Sequence, residues 1–140
     1  MKIKAKKLYP DAQLPQTMRK GDAAMDLYSY RDYKIEPDER VVVDSGIIMA
    51  IPEGYWGNIR DRGGLPVKHG IHTMSGVIDS NYRGEIKIVM INLGQETYTI
   101  KKGHRVCQII IAKYENIGIE EVGELDDTNR GKDGFTSSGY

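Results

Sequence analysis

The densest chemistry in the chain runs Arg60-Asp61-Arg62-Gly63-Gly64-Leu65-Pro66-Val67-Lys68-His69-Gly70. Adjacent glycines let neighbouring backbone N–H groups turn into one concavity, a nest for an anion. The planar fork of Arg62 beside them suits phosphate oxygens. The same composition also describes a basic turn with a solvated face. A second segment, Ser75-Gly76-Val77-Ile78-Asp79-Ser80-Asn81-Tyr82-Arg83-Gly84-Glu85, sets Asp79 after an apolar pair and before a polar turn. A carboxylate at a strand end beside a cavity can act as a general base on water; one in this setting also caps turns. Tyr82 is either a stacking face or part of the core. A third segment, Gly103-His104-Arg105-Val106-Cys107-Gln108, interrupts an apolar strand with an amide. A buried Gln needs partners, so Gln108 is either hydrogen-bonded structure or a ligand contact. Cys107 reads as a small core residue, and no Cys-His-Asn or Ser-His-Asp spacing accompanies it. His69, His72 and His104 fall in no metal-ligand spacing. The last segment is the tail, Arg130-Gly131-Lys132-Asp133-Gly134-Phe135-Thr136-Ser137-Ser138-Gly139. Arg can clamp phosphate, Phe can stack on a base and glycines let a chain wrap closely. That suits a lid closing over a nucleotide; a plain disordered terminus is the alternative.

Short strands must position these groups. The chain holds 17 Ile and 8 Val against 6 Leu and 6 Ala, and branching at Cβ favours strands over helices. Strands are predicted over 2–8, with Ile3 and Ala5 on one side, and over 25–30, 40–43, 47–51, 55–60, 85–93, 97–100 and 106–112. In EIKIVMINL the inward set is Ile86, Ile88 and Met90, with a switch of phase to Ile91. VCQIIIA is too continuous for an edge strand. Many short strands at turn-marked spacings point to an all-β sandwich, barrel or jelly roll. One helix is predicted, Gly64 to His69, with Pro66 in its first turn. The expected organisation is one β-rich domain over 1–125 and a polar, Gly-rich, flexible segment over 126–140.

Composition excludes several classes of function. Lys plus Arg and Asp plus Glu are 20 each, so the formal net charge is zero, whereas chains that coat nucleic acid or anionic lipid carry a positive excess. The longest apolar runs are about five residues, far short of a membrane span. The start, MKIKAKKLYPDAQ, has no apolar stretch of the signal-peptide kind. One cysteine forms no internal disulfide and no Cys-based zinc site. A soluble chain in a reducing compartment, the cytoplasm, is expected, with neither membrane nor direct nucleic-acid binding.

The four segments, together with Ala24-Met25-Asp26-Leu27-Tyr28-Ser29, occur in the order and spacing of the trimeric dUTPase family, which the chain resembles along nearly its whole length. AAMDLYS answers a first motif close to Ala-Gly-x-Asp-Leu. DRGGLPVKHGI answers Pro-Arg-Ser-Gly-Leu-Ala-x-Lys-x-Gly-Ile. GVIDSNYRGEIKI is nearly the third motif as it stands, GHRVCQ answers the fourth, and RGKDGFTSSG answers the glycine-rich fifth. The resemblance implies a distorted jelly-roll, β-clip-like subunit forming a homotrimer, with active sites at subunit junctions closed by another subunit's tail. It implies hydrolysis of dUTP to dUMP and pyrophosphate with Mg²⁺ on the triphosphate, which limits uracil in DNA and supplies dUMP. Asp79 would activate the water that attacks the α-phosphorus, and Asp26 would hold the metal through a water. Arg62, the Gly63-Gly64 backbone and Gln108 would bind phosphate, and Tyr82 would exclude a 2′-hydroxyl. The backbone of Gly76, Val77 and Ile78, with Lys87 beside it, would read uracil. In the tail Arg130 would reach the γ-phosphate and Phe135 would cover the base, while Thr136, Ser137 and Ser138 complete the phosphate-side contacts.

Several residues depart from the family's usual pattern. Gly63 stands in place of Ser, and losing one preorganised donor costs about 10² to 10³ in rate. Asp61 replaces Pro, so its carboxylate must point away from phosphate or pair with an Arg such as Arg60. His104 replaces an acidic residue and removes an ion-pair partner of Arg105. Asp133 and Thr136 replace tail glycines. Two other functions follow from the same fold: a slow or non-catalytic dUTP-binding regulator, which the Gly63 departure motivates, and a dCTP deaminase relative, whose Arg-Ser-Ser motif is absent here.

Overall fold

Chains rich in Ile and Val extend, and this one does so in short antiparallel pieces. The computed structural model describes residues 1–135. Among them run β1 (Lys4–Lys7), β2 (Met25–Tyr28), β3 (Tyr33–Ile35), β4 (Arg40–Asp44), β5 (Ile47–Ala50), β6 (Tyr55–Arg60), α1 (Gly64–His69), β7 (Ile71–Met74), β8 (Val77–Ile78), β9 (Lys87–Asn92), β10 (Tyr98–Ile100) and β11 (Arg105–Lys113). A four-stranded sheet has the order β2-β11-β6-β8 and a three-stranded sheet the order β4-β9-β7; β1 pairs with β5, and β10 with β3. The result is an all-β, distorted jelly roll with one short helix.

The side chains that face inward between the sheets are wholly buried: Ile35, Val43, Ile47, Met90, Ile100, Cys107 and Ile109 all have 0% exposure. β11 lies between β2 and β6, which explains its apolar run on both sides of Gln108. A register shift between Arg105 and Cys107 lets Val106 and Cys107 both turn inward. The helix has the predicted bounds. It stops at Gly70, whose left-handed φ of 68° lets its N–H return to the Leu65 and Pro66 carbonyls.

Three expectations are corrected. The phase of β9 does not switch at Ile91; Ile88, Met90 and Asn92 all face inward. Asn92 holds an apolar position because its amide is satisfied there. Its Nδ2 donates to the Ile35 and Glu96 carbonyls at 2.8 Å each, and its Oδ1 accepts from Gly94 N at 2.9 Å. Ile3 is only half-buried and Ala5 is exposed, because β1 runs along β5 in a two-stranded pair. Finally, β3, β7 and β8 add to the expected strands; at three, four and two residues they are too short for a period to show. After Lys113 no strand or helix follows among the described residues, and residues 113–133 are exposed throughout. Among the described residues no helix is long and apolar enough to cross a membrane.

Candidate active site

Asp79 is placed by the edge of the four-stranded sheet. β6 and β8 pair through Gly57↔Ile78 and Asn58↔Val77, so the next step of that register sets Asp79 opposite Trp56. Tyr82 N donates to Asp79 O at 3.1 Å, closing a turn over Ser80 and Asn81. Arg83 Nη1 ties the turn further, donating to Ser80 O at 2.7 Å and Tyr82 O at 2.8 Å. The turn therefore uses the backbone of Asp79. Its exposed carboxylate makes no hydrogen bond or ion pair among the described residues, and it lines a cleft of about 900 Å³ with Trp56, Val77, Ser80, Asn81, Arg83 and Tyr114. A carboxylate with no structural task facing a cleft of ligand size can act as a base.

Tyr82 is a presented ring, not core: it is 42% exposed. Its hydroxyl donates to Glu85 O at 2.9 Å. The ring lies over Gly84, where a Cβ would come within 2.3 Å of the Tyr82 hydroxyl oxygen. Upstream, the β7–β9 ladder ends at Met74↔Val89, although its register would continue to Gly76↔Lys87. Ser75 (φ 66°) and Gly76 (φ 122°) turn the chain away, and Ile59 N donates to Gly76 O at 2.9 Å. A Cβ on Gly76 would lie 3.0 Å from the Ile59 carbonyl oxygen, so both conformation and contact require glycine. The strands part here, with the backbone of Gly76, Val77 and Ile78 on one side and the start of β9 on the other. Lys87 offers only its backbone to this opening, because its ammonium is held by Asp44 at 2.9 Å and Glu85 at 3.5 Å.

Arg62, Asp26 and Gln108 form a second group. Arg62 leaves β6 and turns into α1; its Nε lies 3.3 Å from Asp26 Oδ1, and its Nη1 donates to Arg105 O at 3.4 Å. Arg105 Nη1 reaches the other Asp26 oxygen at 3.3 Å. One carboxylate between two guanidiniums leaves a net positive charge for an anion. Gln108 lies on β11 beside Asp26 of β2 and Arg60 of β6. Its Nε2 donates to Asp61 O at 2.7 Å, leaving one amide N–H for a ligand. Gly63 caps α1 in helical conformation, and nothing lies within 4 Å of a Cβ built on Gly63 or Gly64.

Two expectations about the departures, and one about the cysteine, resolve here. Asp61 does not pair with Arg60; its oxygens take Thr73 N, Thr73 Oγ1 and His72 Nδ1, each at 2.6 Å, so it faces β7. Arg105 replaces its missing acidic neighbour with Asp26, while His104 Nδ1 accepts from Lys101 N at 3.2 Å. Burial pushes the Cys107 thiol up, with Asp26 and Asp61 adding to the effect, so it is core and not a thiolate.

The two groups are far apart on one chain. Asp26 and Asp79 belong to opposite edges of a sheet ordered β2-β11-β6-β8. Three strand spacings give about 14 Å across. Asp26 is level with Arg60 by way of Gln108, and Asp79 is level with Trp56, which adds about 13 Å along the strand. No single phosphorus atom is reached by both. The tail forms a third group: Arg130 Nε donates to Asp133 O at 2.9 Å, and the Phe135 ring is solvent-exposed. Thr136, Ser137 and Ser138 lie outside the described residues.

A family model described as dUTPase matches residues 10–139. The chain belongs to the dUTPase family. It is 49% identical over 131 residues to the deoxyuridine 5'-triphosphate nucleotidohydrolase of Finegoldia magna, covering 91% of this chain and 92% of that one. A dUTPase variant of Staphylococcus bacteriophage 80alpha, solved with dUpNHpp, superimposes with a TM-score of 0.93 at 26% identity, covering 99% of both chains. A dUTPase variant from phage phi11 of S. aureus, described with a structural Mg(II) ion, matches with a TM-score of 0.84 at 24% identity, over 89% of this chain and 99% of that one. That last likeness shows the fold.

For a dUTPase-family chain the metal question is one of donor sets. Among the described residues no group of three or more His, Cys, Asp or Glu could cage an ion. Asp26 is a single carboxylate with both oxygens on arginines. That set fits Mg²⁺ carried in on phosphate oxygens, with water between ion and carboxylate; it does not fit a resident, protein-caged ion. Sequence reasoning gave no role to Trp56, Arg83, Gly84 or Asp61's partners. Arg83 and Gly84 stood inside the third motif, so a signal was present. Trp56 and His72 reach their places only through strand pairing.

Proposed function

We propose that this chain hydrolyses dUTP to dUMP and pyrophosphate. The observation that carries the reading is the spare carboxylate of Asp79 facing an open cleft while its backbone alone makes the turn, in a chain of the dUTPase family. Asp79 takes a proton from water; the water oxygen bonds to the α-phosphorus, and the bond from that phosphorus to the oxygen bridging to the β-phosphate breaks. The electron pair leaves with pyrophosphate, whose charge the guanidinium of Arg62 offsets. Mg²⁺ bound to the triphosphate supplies charge neutralisation, and Asp26 holds it through water. The Gly63 and Gly64 amides and the remaining N–H of Gln108 complete the phosphate contacts. The parted backbone of Gly76, Val77, Ile78 and Lys87 meets the uracil edge, where unpaired polar groups reject cytosine strongly. Tyr82 packs under the deoxyribose and excludes a 2′-hydroxyl.

The separation of Asp79 from Arg62, Asp26 and Gln108 supports an assembly with shared sites: a homotrimer in which one copy brings Asp79 and Tyr82 to another copy's Arg62. The 126–140 segment then acts as a lid from a further copy, with Arg130 on phosphate and Phe135 over the base, and Thr136, Ser137 and Ser138 following. Release of pyrophosphate from dUTP with Mg²⁺, measured beside Asp79→Asn, tests the reading. Turnover that vanishes in the variant supports it. Tight dUTP binding with no turnover in either protein would instead make the chain a nucleotide-binding regulator.

A further inference from the structure

Asp61 is more heavily engaged than a loop residue needs to be. Its Oδ1 accepts from both the amide and the hydroxyl of Thr73, and its Oδ2 meets His72 Nδ1, each at 2.6 Å. Its own carbonyl accepts from Gln108 Nε2 at 2.7 Å. One residue is thus fixed to β7 by its side chain and to β11 by its backbone. The next residue is Arg62, where β6 has ended and the helix has not begun. The two further anchors of Arg62, Asp26 and the Arg105 carbonyl, stand at 3.3 and 3.4 Å and are weaker. Thr73 is buried and β7 is paired with β9 along its length, so the platform to which Asp61 is tied is rigid.

From this geometry we infer that Asp61 is a positioning residue: it fixes the backbone from which Arg62 projects, and so sets the grip on the phosphate chain. The inference rests on the proposed role of Arg62. A loop held at four points presents its guanidinium in one place without paying ordering entropy when the ligand arrives. Proline at this position would stiffen φ but could make none of the three side-chain bonds. The negative charge is no hindrance to phosphate, because it is spent on Thr73 and His72 and faces away from Arg62's partners.

The test is equilibrium binding of two competitors to the full-length protein, pyrophosphate and deoxyuridine, alongside kcat and KM for dUTP. In Asp61→Ala, pyrophosphate binding weakens about tenfold, in line with a small misplacement of a binding group, and deoxyuridine binding does not change. Asp61→Asn keeps Oδ1 for Thr73 and restores binding to within about threefold, since one neutral hydrogen bond is modest. In the Arg62→Ala background, Asp61→Ala adds nothing further, because positioning has lost its object. Equal losses for both competitors, or additive losses with Arg62→Ala, would overturn the inference by showing a general structural role. Should Asp61→Ala fail to fold, Thr73→Val removes one of the three bonds. It must shift pyrophosphate binding in the same direction, and an unchanged affinity would count against the inference. Because pyrophosphate binding is read without turnover, a wild type that binds it but does not hydrolyse dUTP would refute the enzymatic reading and leave this test intact.

Discussion

Replacing Gly84 by Ala puts the sugar-selection role of Tyr82 under direct stress. A Cβ at residue 84 would lie 2.3, 2.5 and 2.8 Å from the hydroxyl oxygen, Cζ and Cε2 of Tyr82. Ordinary carbon contacts begin near 3.4 Å, so the outer edge of the ring must retreat by about 1 Å. The ring is 42% exposed and free to move outward. The stability cost is mainly the hydrogen bond from Tyr82 to the Glu85 carbonyl, about 0.5–1.5 kcal/mol, or a fall of about 2–6 °C in Tm for a domain of this size. The effect on selection is larger in kind. Steric rejection of one hydroxyl amounts to about 10²-fold, and a retreat of about 1 Å relieves much of a repulsion that acts only at contact. The ratio of kcat/KM for dUTP over UTP should therefore fall at least about tenfold, or about 1.4 kcal/mol. Pyrophosphate release from each nucleotide, with melting curves on the same samples, measures both quantities. Tyr82→Phe separates the causes: it loses the hydroxyl's bond but keeps the ring over Gly84, so it should keep most of the selectivity. An unchanged dUTP-to-UTP ratio in a folded Gly84→Ala protein would refute the assignment of Tyr82 to the sugar.

Other perturbations reach other parts of the site. Gly63→Ser meets open space and restores the hydroxyl usual in the family, so kcat should rise about tenfold or more; an unchanged rate would show that the glycine backbone already does this work. Removing Asn129 to Tyr140 should leave melting and oligomeric state unchanged while nearly abolishing turnover, because that stretch carries one Phe and no other large apolar side chain before Tyr140; unfolding of the truncated chain would contradict this. Burial pushes the Asp61 carboxyl up, but its hydrogen bonds with Thr73 and His72 outweigh that and hold it below the ordinary range. The unfolded value is about 3.9, so the stabilisation is present above that and is lost as pH falls through the lower folded value. Urea melts of wild type should therefore lose stability more steeply below about pH 4 than those of Asp61→Asn; parallel curves would remove Asp61 from the acid response.

How much of this could be read from the residues differs from element to element. The helix was legible because Gly63-Gly64, Pro66 and Gly70 mark both of its ends, and β11 because its apolar run admits only a central place. Asn92 was not, since an amide in an inward position makes sense only once the Ile35 carbonyl is brought to it from β3 and the following loop folds the Glu96 carbonyl back onto it. The motifs around Asp79 and Arg62 showed which groups carry the chemistry, because local turn chemistry keeps them contiguous. They could not show that Asp79 and Asp26, the carboxylate that holds the Arg62 guanidinium, lie near opposite corners of a four-stranded sheet; that is a property of strand order, which no local pattern encodes. For Asp61 the sequence left two choices, facing away from phosphate or pairing with Arg60, and the structure takes the first; which groups receive it was not legible, because His72 and Thr73 are 11 and 12 residues away on another strand.

The central claim is that Asp79 of one copy serves the phosphate site of another, and mixing two crippled variants tests it most directly. Asp79→Asn and Arg62→Ala, each inactive alone, are unfolded together in equal amounts and refolded. In a closed ring with shared sites, about one quarter of the junctions join an intact Asp79 to an intact Arg62. Pyrophosphate release from dUTP should then recover to roughly that fraction of the wild-type rate. A mixture as inactive as its components would place both groups in one chain's site and contradict the account.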